Sequence, residues 1–256
     1  MSVTLTFLGT ASVTPEAGHD TVSFMINRNI LVDTGWFAAI RMLSYGFPPL
    51  DLEYLILTHC HHDHYLGLPH LLFYRRMRQR DREGVRPLKI IGPAEDVQRV
   101  VDLSRNLLQV ERFPDVGHVP EVIPLNPGDR FDCSSFNLDA CDTIHAVQGL
   151  CYKYGDADGN AFGFTGDTAY HPPIAEFLRD CPLIVHEAAH GPRIVGNAKE
   201  SGHSSAEEAA RIAKAAQAKR LAIVHLREKD VEPAVEVARK VFPGAFCPED
   251  GEAVTI

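Results

Sequence analysis

Residues 59–64 constrain this chain more than any other segment. They read His-Cys-His-His-Asp-His and directly follow the apolar run at residues 54–58, Tyr-Leu-Ile-Leu-Thr. Imidazoles and a carboxylate packed this densely at the end of a strand are unfavourable unless a cation lies among them, and a divalent metal is the usual cation. The spacing His-x-His-x-Asp-His is also far more specific than a pair of histidines. The fold is therefore expected to bring a buried strand end to a metal site.

Length and composition are those of an ordinary globular chain. The chain has 256 residues, of which 45% are hydrophobic and 23% charged, so one domain over residues 1–256 can bury a large core. No apolar run approaches the ~20 residues of a membrane helix. The first residues enter a strand-like pattern without the basic and apolar regions of an export signal. We therefore predict a cytoplasmic protein without a membrane partner.

Charge and cysteine content narrow the function further. The formal net charge is −9, which disfavours a large nucleic-acid footprint but leaves a local one open. The six cysteines form no Cys-x-x-Cys pair, so we expect reduced and mostly buried thiols instead of a disulfide framework. Cys60 lies between two candidate ligands and is itself interpreted as a small buried side chain.

The order of predicted elements indicates an α/β fold. Strands lead, and then strands and helices alternate twice, which favours two packed sheets with helices outside, an αββα four-layer sandwich. The last clear helix has a predicted capping box with Ser204 as the cap and Glu207 three residues on.

Further ligand candidates follow other predicted strands. His145, Asp167 and His225 each lie at or just beyond a strand end, where open α/β sheets place their sites. Taken singly, Asp167 in its Gly-Asp-Thr context is typical of a turn and His225 of a core histidine. Together with residues 59–64, they indicate metal binding.

Six segments together resemble a known family. They are residues 7–10 (Phe-Leu-Gly-Thr), 31–35 (Leu-Val-Asp-Thr-Gly), 59–64, 163–168 (Gly-Phe-Thr-Gly-Asp-Thr), 186–189 (His-Glu-Ala-Ala) and 203–205 (His-Ser-Ser). In this order they resemble the metallo-β-lactamase superfamily, and within it the ribonuclease Z-like branch of phosphodiesterases. The resemblance spans nearly the whole chain and implies the metallo-β-lactamase fold.

The resemblance also implies a ligand set for two divalent metal ions, with zinc expected and manganese as the alternative. One ion would be held by His59, His61, His145 and Asp167, and the other by Asp63, His64, His225 and the same Asp167 as a bridge. Asp33 would lie outside the ligand set and orient the metal loop. The alternative for Asp33 is a strand-end carboxylate that bonds to its own turn.

Two metals and a bridging hydroxide suit hydrolysis of a phosphoester. Asp63 would ligate a metal and orient the nucleophile. By the same resemblance, His203 would protonate the leaving oxygen, and Glu187 would hold the His203 ring in the right tautomer. The alternative for His203 is an idle position before a helix cap.

Three departures from the family pattern bear on the substrate. Residues 15–20 (Pro-Glu-Ala-Gly-His-Asp) are not basic, unlike the corresponding loop of tRNA-processing members. Only about twenty residues separate His145 from Asp167, too few for the long arm that grips tRNA in those enzymes. Ala189 replaces a family threonine. These departures, with the acidic balance, disfavour a tRNA endonuclease.

An arginine cluster points the other way. Its members are Arg75, Arg76, Arg78, Arg80 and Arg82. These guanidinium groups either clamp phosphates or belong to a solvated helix, and the second interpretation is the more usual one.

The sequence therefore predicts a two-metal hydrolase of phosphodiesters in small or cyclic nucleotides or similar metabolites. A tRNA 3′-processing endoribonuclease is the alternative within the branch. A hydrolase of lactones, thioesters or sulfate esters is the alternative on the same scaffold, since fold does not fix the reaction. A non-enzymatic metal-binding sensor is the third alternative, and a homodimer is left open.

Overall fold

Two seven-stranded sheets form the centre of the fold in this computed structural model, which describes residues 2–256. The strands are, in chain order, β1 (Thr4–Gly9), β2 (Ser23–Ile26), β3 (Ile30–Val32), β4 (Tyr54–Ile56), β5 (Lys89–Pro93), β6 (Glu121–Leu125), β7 (Arg130–Asp132), β8 (Phe136–Asp142), β9 (Leu150–Asp156), β10 (Ala161–Phe164), β11 (Leu183–Glu187), β12 (Arg220–Val224), β13 (Ala245–Phe246) and β14 (Ala253–Thr255). The first sheet has the order β14-β1-β2-β3-β4-β5-β6 and the second β13-β12-β11-β10-β9-β8-β7.

Eight α-helices accompany the sheets in the described part of the chain. They are α1 (Ala38–Ser44), α2 (His62–Tyr65), α3 (Leu68–Arg78), α4 (Val97–Leu107), α5 (Pro173–Phe177), α6 (Ala198–Ser201), α7 (Ala206–Ala215) and α8 (Val231–Val241). None of the helices found there is long and apolar enough to cross a membrane.

Strand periodicity explains why the layers stack as they do. In β4, Tyr54 and Ile56 pack in the core between the two sheets, whereas Leu55 faces the core beneath α1, α3 and α4. A third core lies between the second sheet and α5, α7 and α8. Because successive side chains of a strand point to opposite faces, a strand buried on both faces is apolar throughout. The four-layer αββα prediction is therefore confirmed.

The parallel strands of each sheet aim their carboxyl ends at one edge. Strands β3 to β6 run parallel in the first sheet, and β10 to β13 run parallel in the second. The two sheets are joined there by the Leu150 N–H, which donates to the Thr58 carbonyl over 2.9 Å, and by the Tyr152 hydroxyl, which donates to Leu57 over 3.1 Å. Residues that follow these strands therefore converge between the sheets.

The arginines on and after α3 serve the fold more than the surface. Arg75 is fully buried and donates to three backbone carbonyls, so the prediction of a solvated helix is wrong for this residue. Arg76 and Arg80 both donate to the carbonyl of Asp115, and Arg82 pairs with Asp51. The buried Arg75 guanidinium needs several acceptors. The contacts of Arg76, Arg80 and Arg82 lie at the surface and link this segment to neighbouring loops.

The capping box of α7 lies one residue beyond its predicted position. The hydroxyl of Ser205 accepts from the Glu208 N–H, and the Glu208 carboxylate accepts from the Ser205 N–H. The prediction of Ser204 and Glu207 is therefore wrong. The Ser204 hydroxyl is instead committed to the Thr168 carbonyl at 2.7 Å, so it is not free to cap the helix.

This register is testable by mutation. Ser205→Ala is expected to lower the free energy of unfolding by about 1 kcal/mol, because it removes the acceptor for an otherwise unpaired N–H. Glu207→Gln is the matched control and is expected to change it by less than about 0.5 kcal/mol, since Glu207 forms only a surface pair with Arg211. Urea denaturation of both variants measures the two values. A larger effect from Glu207→Gln would contradict the assigned register.

Candidate metal centre

The predicted ligands meet at the edge where the two sheets join. They come from the segments after β4, β8, β10 and β12, which lie far apart in the sequence, and Asp63 and His64 are on the short helix α2. His59, His61 and His145 form a first cluster, in which one ligand atom from each residue lies within 4.8 Å of the others. Within it, His61 Nδ1 and His145 Nε2 are 2.8 Å apart.

A second cluster lies beside the first and contains two carboxylates. Asp63, His64, Asp167 and His225 each offer a ligand atom within 4.8 Å of the others, and all four residues are buried. Asp63 Oδ2 lies 3.2 Å from His225 Nε2 and 3.3 Å from His64 Nε2.

The Asp167 carboxylate lies between the two clusters. Its Oδ2 is 3.6 Å from His59 Nε2 and 3.5 Å from His225 Nε2, and its Oδ1 is 3.6 Å from His64 Nε2. Ligand atoms bound at about 2.0–2.2 Å to one tetrahedral ion lie about 3.3–3.6 Å from each other. The carboxylate is therefore spaced to share cations with imidazoles on both sides.

Unsatisfied polar atoms show that these residues fit a cation. Among the described residues, His59 Nε2, His64 Nε2 and Asp167 Oδ1 are buried without a hydrogen-bond partner. Such atoms are rare in proteins because removing each from water costs free energy that no hydrogen bond compensates. His59 Nε2 and His64 Nε2 each lie 3.6 Å from an Asp167 oxygen, and nitrogen and oxygen donors together are the usual ligands of divalent metal ions.

Asp33 orients one imidazole. Its Oδ2 accepts from His64 Nδ1 over 2.8 Å, which leaves His64 Nε2 facing the second cluster. The same carboxylate accepts from the Thr58 N–H and the Thr58 hydroxyl, each over 2.8 Å. Asp33 therefore binds the loop after the neighbouring strand and not its own turn, as expected of a residue that supports metal ligands.

Other imidazoles are oriented by groups that sequence reasoning missed. His145 Nδ1–H donates to the Gly202 carbonyl over 2.8 Å. Gly202 has φ = 71°, and a Cβ there would lie 2.7 Å from His145 Nδ1, so this contact requires glycine. His59 Nδ1 lies 3.2 Å from the Thr58 hydroxyl, which itself donates to Asp33. The only sequence feature that points to these contacts is the glycine directly before His203. It does not reveal that the Gly202 carbonyl accepts a hydrogen bond from His145.

The histidines of the two clusters differ in the direction of their pKa shifts. Burial lowers the pKa of His59 and of the other histidines in the first cluster, so these imidazoles are held neutral, which is the form that binds metal. Burial also opposes charge on His64, but the Asp167 and Asp33 carboxylates outweigh it and raise its pKa well above the usual value. In the metal-free protein, protons on the second cluster therefore balance its carboxylates.

Glu187 and His203 form a pair beside the clusters. Glu187 is buried, and its Oε1 accepts from His203 Nδ1 over 3.1 Å and from the Ser204 N–H over 3.0 Å. Its Oε2 accepts from the Ala189 N–H over 2.7 Å. The His203 side chain keeps 20% of its surface exposed, and His203 Nδ1 lies 3.7 Å from Asp167 Oδ2. The Glu187 carboxylate is thus fixed by several hydrogen bonds, whereas part of the His203 ring is accessible to solvent.

Comparison with known proteins gives the family. The family described as anti-Pycsar protein Apyc1 matches residues 3–240. The chain belongs to this family.

One curated relative and two solved structures are similar over nearly the whole chain. Ribonuclease Z of Haloferax volcanii is 28% identical, and the alignment covers 100% of this chain and 96% of the relative. The metallo-β-lactamase fold protein YhfI from Bacillus subtilis has a TM-score of 0.84 at 23% identity, with 100% of each chain covered. The short form of human tRNase Z has a TM-score of 0.75 at 21% identity, with 98% of each chain covered. The predictions of the metallo-β-lactamase fold, of a ribonuclease Z-like member and of a metal-dependent hydrolase are confirmed.

The Glu187–His203 pair predicts an unusual titration. Burial lowers the pKa of His203, but the hydrogen bond and charge of Glu187 outweigh it and raise the pKa to about 9. In metal-free protein, the Glu187→Gln variant is expected to lower the His203 pKa by more than 1 unit, because it removes the charge that favours the imidazolium. NMR titration of the imidazole resonances measures it.

His190 supplies the matched control for this titration. Its ring lies 6.0 Å from that of His203, and it hydrogen-bonds Ser201 and not Glu187. Burial lowers the His190 pKa and the charge of Glu187 opposes this, so Glu187→Gln should lower the His190 pKa by less than that of His203. An equal fall in the pKa of both rings, or no fall at His203, would contradict the pairing.

Proposed function

We propose that this protein hydrolyses a phosphodiester bond in a small or cyclic nucleotide with the help of two divalent metal ions. The observation that carries the proposal is the Asp167 carboxylate, which lies between two ligand clusters with an imidazole–carboxylate pair beside it. Zinc is the expected ion because imidazoles dominate the ligand set, and manganese is the alternative because carboxylate oxygens are present.

The side chains divide the work among them. When bound, the two cations lower the pKa of the attacking water and offset charge on the phosphate oxygens. Asp63 contacts His64 and His225 through Oδ2. We assign it two roles: it would bind the cation of the second cluster and orient the attacking water. His203, fixed by Glu187 through Nδ1, donates a proton to the leaving oxygen.

Access to the site favours a substrate that enters from one side. His61 and His203 are half-buried, whereas His59, His64, Asp167 and His225 are nearly or fully buried. A phosphodiester therefore meets His61 and His203 first, with its non-bridging oxygens toward the clusters.

Charge supports a small substrate over a polynucleotide. The formal net charge is −9, and four of the five arginines on or after α3 are engaged with backbone carbonyls or with Asp51. Glu16, in the loop after β1, accepts from the Glu228 N–H, so this loop presents a carboxylate and not a basic surface. A polyanion would find few free cations here.

A tRNA 3′-processing endoribonuclease is the second candidate. Relatives named ribonuclease Z, among them the Haloferax volcanii protein, cover nearly the whole chain and favour it. Turnover of 3′,5′-cyclic mononucleotides with each of the four bases, set against a precursor tRNA, separates the two. Cleavage of the precursor tRNA alone would replace the first proposal with the second, and turnover of only a lactone, thioester or sulfate ester would replace both.

We further infer that residues 1–256 act as one metallo-hydrolase domain, because the shared core between the sheets draws on both halves of the chain. A cytoplasmic location stays a prediction, and the sequence leaves a homodimer open.

Substrates with different leaving groups test the role of His203. The variant His203→Ala is expected to slow hydrolysis of a cyclic nucleotide by about 10²–10⁴-fold, because a ribose oxygen leaves poorly without a proton. It should slow hydrolysis of bis-p-nitrophenyl phosphate by less than about tenfold, since p-nitrophenolate leaves unprotonated. Steady-state kcat values for the two substrates give the comparison.

His70→Ala is the control for this experiment, because His70 is exposed on α3 and belongs to neither cluster. Its rates should match those of the unmodified protein with both substrates. Equal losses with both leaving groups in His203→Ala would remove the proton-donor role.

A further inference from the structure

The loop after β1 contacts two ligands of the second cluster through side-chain hydroxyls. The Thr21 hydroxyl donates to the backbone carbonyl of Asp63 over 2.8 Å, and the Ser12 hydroxyl lies 3.2 Å from His225 Nδ1. Thr21 is 1% exposed and Ser12 is 9% exposed. Both hydroxyls therefore belong to buried residues and contact residues of the predicted ligand set.

The same loop holds the backbone of His225 in a strained conformation. His225 has φ = 64°, a left-handed value that costs a residue with a Cβ about 1–3 kcal/mol. Its N–H donates to the Thr10 carbonyl over 2.9 Å, and the Ser12 N–H donates back to the Leu226 carbonyl over 3.1 Å. These two bonds bracket His225, so the loop fixes both its backbone and its ring.

One carboxylate anchors both ends of the loop. Asp250, near the end of the chain, accepts from the Thr10 hydroxyl over 2.9 Å and from the Asp20 N–H over 3.1 Å. It also pairs with Arg41 of α1, whose Nε–H donates to the Leu8 carbonyl over 2.7 Å. The Asp250 side chain is only 4% exposed. A buried pair of this kind holds its partners firmly, since loss of either member leaves a charge unpaired.

The first cluster is oriented from elsewhere in the fold. His145 is oriented by the Gly202 carbonyl and His59 by Thr58, and neither of these partners belongs to the loop after β1. The two clusters share Asp167, and Thr58 and Asp33 link His59 to His64. Only His225 and Asp63 take their supports from the loop after β1. A change in the loop should therefore reach one metal position and spare the other.

We propose that residues 10–21, anchored by Asp250, position Asp63 and His225 of the second cluster and set the metal affinity of that position separately from the first. Ser12 and Thr21 are positioning residues in this scheme, because they act through His225 and Asp63. The inference rests on the proposed function only in requiring two bound ions. It identifies the loop as the element that decides whether the second position is filled.

Metal titration of single-hydroxyl variants tests the proposal. Metal-free protein is titrated with Zn²⁺ by calorimetry with a competing chelator, and the bound ions are counted by elemental analysis. The ¹⁵N resonances of the His145 and His225 rings report which position fills. Ser12→Ala and Thr21→Val are each expected to weaken the position that His225 reports by about 10–100-fold, as is typical when a residue that orients a ligand is lost. The position that His145 reports should keep its affinity.

Two matched variants control for the loss of a hydroxyl. Ser44→Ala removes a hydroxyl that bonds only the Ile40 carbonyl on α1, and Thr4→Val removes one at the far end of β1 that contacts Thr255. Both should bind two ions as the unmodified protein does. Asp250→Asn should weaken the same position as Ser12→Ala, because it removes the charge that pairs with Arg41 and one of the two oxygens that hold the ends of the loop.

The outcomes separate this inference from the proposed function. Two ions in the unmodified protein, with equal losses at both positions or no loss in the Ser12 and Thr21 variants, would overturn the positioning role alone. A single ion in the unmodified protein would overturn the two-metal proposal and this inference with it.

Discussion

The Asp167 carboxylate lies among imidazoles that come from three separate loops, and the rest of the site depends on this crowding. His59, His64, His145 and His225 each place a ring nitrogen 3.5–3.9 Å from one of its oxygens. Burial disfavours charge on Asp167, yet the charges of His225 and His64 hold its pKa well below the usual range. Without cations, protons on the second cluster balance the carboxylates. Metal ions satisfy the same carboxylates without requiring protonated imidazoles, which explains why such an arrangement can persist in the core of a protein.

The fold supplies the energy that keeps these groups together. Each sheet buries apolar side chains on both faces, so the parallel strands are fixed in register and their carboxyl ends meet at one edge. The loops at that edge adopt uncommon backbone conformations, with φ = 50° at Asp33 and φ = 64° at His225. Gly166 has φ = 58°, and a Cβ there would lie 2.6 Å from Thr58 Cβ, so glycine lets the loop before Asp167 approach the metal loop. Strain of this kind is tolerated where the surrounding packing determines the conformation.

The sequence predicted the layers and the ligand candidates because both leave local patterns. Alternating and continuous apolar runs such as residues 54–58 give strands, and residues 59–64 combine several ligands in one segment. The pattern predicts a capping box one residue early because Ser204 and Ser205 fit it equally well, and only the bond from Ser204 to Thr168 decides between them. Residue type alone favours a solvated position for Arg75, whereas its acceptors are backbone carbonyls, which no residue type reveals. The anchor of the loop after β1 was missed for a similar reason, since Thr10 and Asp250 are 240 residues apart.

A crystal structure of the zinc-loaded protein, with anomalous scattering recorded at the zinc edge, tests the central claim most directly. Two anomalous peaks about 3.5–4 Å apart are expected, one against His59, His61 and His145 and the other against Asp63, His64 and His225, with Asp167 touching both. A single peak, or two peaks of which Asp167 touches only one, would contradict the shared carboxylate on which the proposed chemistry depends.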